Sequence, residues 1–340
     1  MIRLSILLPC YRVEKYIQKC IDSIYQSLVP SEELEVLCFD DCSPDRTSQI
    51  LDKLAKKYMN LRVIHSSKNV GAGGGRNFLL TEAKGQYIWF VDPDDIVASD
   101  VVLPMLELVE KHRLDVLMFN YHDMTEDGQI SIPGVQFKDS EVLDGLSFVD
   151  RVFGSGIVWH LGYAVRFLVR REYLLKQGFL FPEHIPFQDT IWMPRVIMYA
   201  DRIQATHLVG YIYWHHESSV CGQFRMKYPA KSIYVWSISV FEQLLDFGDE
   251  LETRSKIDNR YHNYAMVFHD FAQSYYLNRL PILLCRSNRE ERKKFYMLLR
   301  GCEISERVKS SAKILTKMLL LPHVGESISN IASIIYKSTH

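Results

Sequence analysis

The strongest constraint on this chain is a change of rhythm that repeats through its first 120 residues. Apolar runs of strand length stand at Ile2–Leu8, Leu34–Phe39, Leu61–Ile64, Gln86–Val91 and Asp115–Phe119. The intervening stretches, about Val13–Leu28, Thr47–Tyr58, Gly75–Ala83 and Val101–Lys111, carry apolar residues at helical spacing, as in Ile17, Ile21, Ile24 and Leu28. Near-continuous apolar strands separated by helices predict a mostly parallel α/β sheet flanked by helices. Such sheets bind ligands beyond the carboxyl ends of their strands, so the residues that follow each strand are where chemistry is expected.

Those residues are unusually polar. Strand one ends in Pro9-Cys10-Tyr11, strand two in Asp40-Asp41-Cys42-Ser43-Pro44-Asp45, and strand four in Asp92-Pro93-Asp94-Asp95. Six carboxylates are thereby directed to one crevice, where they repel each other unless a cation or donor ligand lies among them. Asp92-x-Asp94 suits Mg²⁺ or Mn²⁺, which take one or two protein carboxylates and complete their shell with water and phosphate. The plainer reading is that Asp94 or Asp95 caps the helix that starts near Ser99. Gly71-Ala72-Gly73-Gly74-Gly75-Arg76 fails the dinucleotide fingerprint, because Arg76 stands where the last glycine is needed and the run follows the third strand. It is either an anion cradle at a helix start or a flexible turn.

The 340 residues suggest two domains, and 40 basic against 41 acidic side chains leave no chain-wide field for nucleic acid. Seven cysteines without a C-x-x-C pair indicate neither a zinc site nor a disulfide framework, which fits a reducing, cytoplasmic setting. No run approaches the roughly 18 apolar residues of a membrane span.

Read together, "SILLPCYRVEKYIQKCIDSI", "EVLCFDDCSPDRTSQIL", "KNVGAGGGRN", "KGQYIWFVDPDD", "FLFPEHIPFQDTIWMPRV" and "GYIYWHHESSV" resemble glycosyltransferase family 2, the inverting nucleotide-sugar transferases of the GT-A (Rossmann-like) fold. The resemblance spans about residues 2–222. It implies a GT-A domain over 1–222, with a nucleotide-sugar half at about 1–120 and an acceptor half at about 121–222. A helical C-terminal region would follow over 223–340.

Carried over residue by residue, the resemblance implies that Pro9, Tyr11 and Glu14 line the nucleotide pocket. Asp41 would accept from the base N3–H, with Asp40 and Ser43 shaping the loop. Arg76 would lie against the base or diphosphate, and Asp92 would meet the ribose or the water shell of the metal, with Asp95 beside it. Asp94 would ligate a Mn²⁺ or Mg²⁺ that bridges the diphosphate, joined by His215 or His216. Asp189 would be the general base that takes the proton of the acceptor hydroxyl. For Asp189 a helix N-cap is the plain alternative, and for the two histidines a core or hydrogen-bonding role.

Three residues depart from the family pattern: Arg12 where Asn is usual, Gln188 where Glu precedes the base, and Pro93 within D-x-D. Gln188 removes a negative charge beside Asp189 and lowers its pKa slightly relative to a Glu neighbour. Trp159 and Trp192 are candidates to stack on an acceptor sugar, against the commoner fate of core tryptophan.

Beyond residue 225 the pattern is helical, with a stripe of Tyr261, Tyr264, Ala265, Phe268, Phe271, Ala272 and Tyr275. Residues 279–317 hold 11 basic and 4 acidic side chains, and with Leu319–Leu321 they read either as a basic amphipathic surface for anionic lipid or as a plain solvated face.

The expectation is therefore a metal-dependent transferase that moves a sugar from a nucleotide-sugar, with UDP favoured by resemblance. Its acceptor would be a glycan or a lipid-linked molecule in bacterial surface polysaccharide synthesis, at the inner face of the cytoplasmic membrane. The rivals are a catalytically silent sugar-nucleotide-binding module and an NAD-dependent oxidoreductase.

Overall fold

A computed structural model describes residues 1–26, 29–133, 135–153, 162–185, 187–216 and 230–272. The chain divides into two compact units between Gly222 and Gln223. The first is built on a nine-stranded sheet, and the strand positions read from the apolar runs all appear in it. They are β1 (Leu4–Cys10), β2 (Leu34–Asp40), β3 (Leu61–His65), β4 (Tyr87–Phe90), β5 (Ile96–Val97), β6 (Val116–Met124), β7 (Ile130–Ser131), β8 (Phe167–Arg170) and β9 (Ile203–Trp214). The order is β3-β2-β1-β4-β8-β6-β9-β5, with β7 paired to β6.

Strands β1 to β4 are mutually parallel, as predicted. Beyond β4 the sheet turns mixed, because β8 runs antiparallel between β4 and β6 while β9 pairs parallel with β6. Two reversals restore the original direction, so β6 and β9 end on the same edge as β1, β2 and β4. The start of the antiparallel β8 also reaches that edge. This topology brings residues more than a hundred positions apart to one crevice.

Helices α1 (Ile17–Ile24), α2 (Thr47–Lys57), α3 (Gly71–Glu82), α4 (Val102–His112), α5 (Gly145–Phe148), α6 (Arg171–Gln177) and α7 (Asp189–Met198) complete the first unit. In α1 the predicted Ile17, Ile21 and Ile24 are fully enclosed together with Cys20, while Leu28 lies outside the described residues. Burial of one such aliphatic side chain stabilises by roughly 1.5–3 kcal/mol.

Two helix starts differ from the sequence-based expectation. Helix α1 begins four residues later than predicted, because Val13 instead gives its N–H to Thr47 Oγ1 and opens a turn that closes at Tyr16. Helix α3 begins four residues earlier, at Gly71. Asp41 supplies the missing cap by accepting from the N–H of Val70 (2.7 Å) and of Gly71 (2.8 Å).

In the second unit α8 (Ala230–Ser255) is followed by a helix over 260–272, here α9. The predicted aromatic stripe forms the packed side of α9, with Tyr264, Ala265, Phe268, Phe271 and Ala272 buried. Phe268 meets Phe247 of α8 edge-on at 4.7 Å. Tyr275 and the basic segment 279–321 lie outside the described residues. Among the described residues no helix is long and apolar enough to cross a membrane.

Candidate functional site

The crevice forms where β1, β2, β4, β6 and β9 end. Its floor is the turn Asp92-Pro93-Asp94-Asp95, closed by the Asp95 N–H on the Asp92 carbonyl at 3.1 Å. Pro93 occupies the second position of this turn, where its fixed φ is favoured. The departure at that residue therefore stiffens the D-x-D motif. The 3₁₀ turn at Ser99–Val101 has no side-chain cap, so neither Asp94 nor Asp95 serves the capping role considered above.

The structure sorts the six carboxylates by partner, and four are committed to the scaffold. Asp40 accepts from Ser43 N–H (3.2 Å) and pairs with His65 Nδ1 (3.1 Å). Asp41 caps α3, although each of its oxygens keeps a further lone pair with which a base N–H is compatible. Asp45 accepts from the N–H groups of Thr47 (3.1 Å) and Glu14 (3.4 Å).

Asp95 corrects an expectation. It does not face a nucleotide but points into the core, accepting from the buried Tyr211 hydroxyl at 2.6 Å and from Trp214 N–H at 2.8 Å. Burial, with Asp94 and Asp92 nearby, pushes its pKa up. The mutual repulsion predicted for six carboxylates is thus mostly relieved by the protein itself.

Asp92 and Asp94 remain at the crevice. Asp92 Oδ1 meets Arg76 Nη2 at 2.5 Å. Burial raises the pKa of Asp92 against the pull of that guanidinium. Arg76, enclosed on α3, lies 5.4 Å from the Phe181 ring centroid, and its buried Nε has no hydrogen-bond partner among the described residues. A buried cationic donor with an unused N–H is costly unless an acceptor is supplied.

Asp94 Oδ2 lies 3.0 Å from His216 Nε2. His215, the alternative, is directed elsewhere: its Nε2 pairs with Asp123 Oδ1 at 2.7 Å, away from Asp94. Consecutive residues leaving an extended strand point to opposite sides, so only one of the pair reaches the turn. Among the described residues no three His, Cys, Asp or Glu side chains gather as a metal cage. One carboxylate oxygen and one imidazole nitrogen at this separation fit a divalent cation whose remaining positions go to water and phosphate.

On the pocket wall, Pro9 is the buried penultimate residue of β1, and Tyr11 is 42% exposed at the mouth with the Arg12 guanidinium 5.3 Å from its ring centroid. Arg12 and Cys42 both adopt left-handed backbone, with φ of 56° and 57°. This accounts for the usual Asn at the first position, since Asn tolerates that conformation better than Arg. Ser43 Oγ accepts from Arg12 N–H and ties the two strand-end loops together. Glu14 accepts from the Arg46 N–H and Nε, which lower its pKa.

Asp189 opens α7 on the opposite side. Gln188 before it is buried, and the Asp189 carboxylate accepts from the N–H of Thr190 at 3.0 Å. Burial pushes its pKa up to about 6; Arg76 opposes the rise and Asp92 adds to it. The charges of Arg76 and Asp92 therefore both reach Asp189. A carboxylate with that pKa is mostly ionised at neutral pH and still basic enough to share a proton.

The route that carries Asp189 here is a contribution the sequence motifs did not reveal. Asn77 of α3 exchanges two hydrogen bonds with Phe181, donating to its carbonyl (3.0 Å) and accepting from its N–H (2.7 Å). A Cβ on Gly73 would stand 2.2 Å from the Pro182 carbonyl oxygen, so the glycine run serves close packing of 181–183 on α3.

Trp192 also corrects an expectation. It is 1% exposed, stacked on Phe181 at 4.0 Å and edge-on to Phe90, and is a core ring that cannot reach an acceptor sugar. Trp159 lies outside the described residues. Because the Asn77 amide is spent on Phe181 and Glu183, Asn77→Ala is expected to lower kcat by about 10–100-fold through displacement of Asp189 while UDP affinity stays within about twofold. Paired turnover and calorimetry measurements check this.

The family model for "Glycosyl transferase family 2" matches residues 5–174. Among curated relatives, "Uncharacterized glycosyltransferase EpsJ" of Bacillus subtilis is 30% identical over 217 residues, covering 64% of this chain and 62% of that one. "Poly(ribitol-phosphate) beta-N-acetylglucosaminyltransferase TarS" of Staphylococcus aureus is 30% identical over 218 residues, 63% of this chain and 35% of TarS. The chain thus spans less than two thirds of the length of either relative. The crystal structure of S. aureus TarS 1-349 in complex with UDP-GlcNAc matches with a TM-score of 0.60 at 22% identity, over 86% of this chain and 83% of that one. That likeness bears on the fold.

Proposed function

The chain belongs to glycosyl transferase family 2, and from that premise we propose that it is a metal-dependent inverting transferase acting on a UDP-sugar. The acceptor in this reading is a hydroxyl of a cell-wall or surface glycan, or of its lipid-linked precursor, at the inner membrane face. The observation that carries it is the convergence of Arg76–Asp92, Asp94–His216 and Asp189 on one crevice. TarS structures with UDP-GlcNAc and with UDP, and relatives named as poly(ribitol-phosphate) transferases, favour both the nucleotide and the class of acceptor.

Inverting transfer is one in-line displacement at the anomeric carbon. Asp189 takes the proton of the acceptor hydroxyl as that oxygen attacks, and the nucleoside diphosphate departs on the opposite face. Arg76, with an unused N–H and a buried charge, receives the developing negative charge of the leaving group. Asp94 and His216 would hold the cation, whose charge would help neutralise the leaving diphosphate. Pro9, Tyr11 and the Asp40–Ser43 loop enclose the base.

A silent binding module keeps the first two groups but has no use for a carboxylate with a pKa near 6. The oxidoreductase reading loses its remaining support, because Gly73 is taken up by packing on Pro182.

Calorimetric titration of UDP, GDP and dTDP with and without Mn²⁺ tests the proposal. UDP is expected to bind, and to bind tighter with the metal. If no diphosphate shows metal-dependent binding, the reading falls.

A further inference from the structure

One aromatic residue at the crevice has no task in the donor site as described. Tyr16, the residue before α1, stacks on the His216 imidazole with 4.2 Å between ring centroids and 26° between planes. It also meets Trp214 edge-on, at 5.4 Å and 81°. Lys19, on the first turn of α1, sets its ammonium 4.1 Å from the Trp214 ring centroid. The stretch 214–216 is held on its other side by the Asp92–Asp95 turn, through Trp214 N–H on Asp95 and His216 Nε2 at Asp94. The end of β9 is therefore gripped between α1 and the D-x-D turn.

These contacts fix different things. The contact with Asp94 places one nitrogen of His216 and by itself sets no plane for the ring. A flat ring stacked on the imidazole constrains that plane. Metal affinity responds strongly to such orienting contacts, which typically matter by about 10–100-fold.

We propose that Tyr16 is a positioning residue for the metal–diphosphate end of the donor site: by holding the plane of the His216 ring, it presets Nε2 beside Asp94 as a ready pair of donors. Tyr16 touches neither sugar nor nucleotide in this assignment and acts only through His216. The inference rests on the donor-site reading above. The Val13–Tyr16 turn sets Tyr16 just before α1, where its ring meets His216 and Trp214.

The test is Mn²⁺ uptake, followed by the electron paramagnetic resonance of free Mn²⁺ in the presence of UDP. Five proteins are compared: wild type, Tyr16→Leu, Tyr16→Phe, His216→Ala, and Tyr16→Leu with His216→Ala. Tyr16→Leu is expected to weaken Mn²⁺ binding about tenfold, at the lower end of the range for such orienting groups. Tyr16→Phe, which keeps the flat ring, is expected to stay within about twofold of wild type. The double variant is expected to bind no more weakly than His216→Ala alone, because the effect passes through that ring.

Wild-type affinity in Tyr16→Leu overturns the inference while leaving the donor site intact. A further loss in the double variant overturns it too, since Tyr16 would then act by another route. Absence of UDP-dependent Mn²⁺ uptake in wild type removes the donor-site reading and this inference with it. Should Tyr16→Leu melt below the assay temperature, Tyr16→Met takes its place against the same Tyr16→Phe control.

Discussion

Asp189→Asn is expected to lower turnover by about 10²–10⁴-fold, the range supplied by a positioned general base, while UDP binding persists. The amide keeps the shape of the side chain and its acceptor oxygen for Thr190 N–H but cannot take a proton. In wild type, burial of Asp189 with Asp92 nearby outweighs Arg76 and sets a pKa of about 6. The acid limb of kcat/KM should therefore lie near pH 6, not near pH 4, and should vanish with Asn.

The same shift predicts a stability effect of opposite sign. A carboxyl whose pKa is higher folded than unfolded holds its proton more tightly in the native state, so its contribution to stability falls as pH rises from about 4 through 6. Asp189→Asn should accordingly melt higher than wild type at pH 7.5 and nearly level with it at pH 4. A variant that is inactive and less stable at pH 7.5 would mean that Asp189 is a structural cap after all. Loss of activity with a gain in melting temperature is the signature of a group held charged for chemistry at the expense of the fold.

The first half of the sheet and the gathering of polar residues at its strand ends were legible because the pertinent signals are local. A buried parallel strand must be apolar throughout, a flanking helix must show one apolar face, and the strand ends must carry the polar residues. What a side chain faces is not a local property. Asp41 and Asp95 look alike in the sequence, each the last of an acidic run after a strand. One caps α3, and the other is drawn into the core by a tyrosine 116 residues away.

The same holds for Trp192, whose burial depends on Phe90 and Phe181, and for Tyr16, whose partner lies two hundred positions on. The mixed order of β8, β6 and β9 was illegible for a related reason. Their pairing is long-range, and the segment between residues 120 and 220 offers few turn signals from which direction can be read. His215 and His216 could have been separated by alternation alone, had the end of β9 at Trp214 been known.

Asp94→Ala is the second large effect, expected to reduce kcat/KM by about 10²–10³-fold, the range for removal of one group that stabilises leaving-group charge. The site has few donors. With His216 as the only other His, Cys, Asp or Glu side chain within hydrogen-bond reach of Asp94 among the described residues, loss of the carboxylate leaves a neutral imidazole as the remaining anchor. His216→Ala removes the neutral partner and keeps the charge, so it should cost less, about 10-fold or somewhat more.

Asp92 is drawn to Arg76 through Oδ1 and Asp95 is turned inward, so neither is paired with His216 as Asp94 is. UDP without metal should bind Asp94→Ala and wild type alike, since Arg76 and the base pocket are untouched. The ranking of Asp94→Ala below His216→Ala in Mn²⁺-dependent UDP affinity is the decisive comparison. Equal effects would mean that the two act only as a hydrogen-bonded pair holding β9 to the turn. The reverse order would move the cation away from Asp94, and with it the assignment of the D-x-D motif.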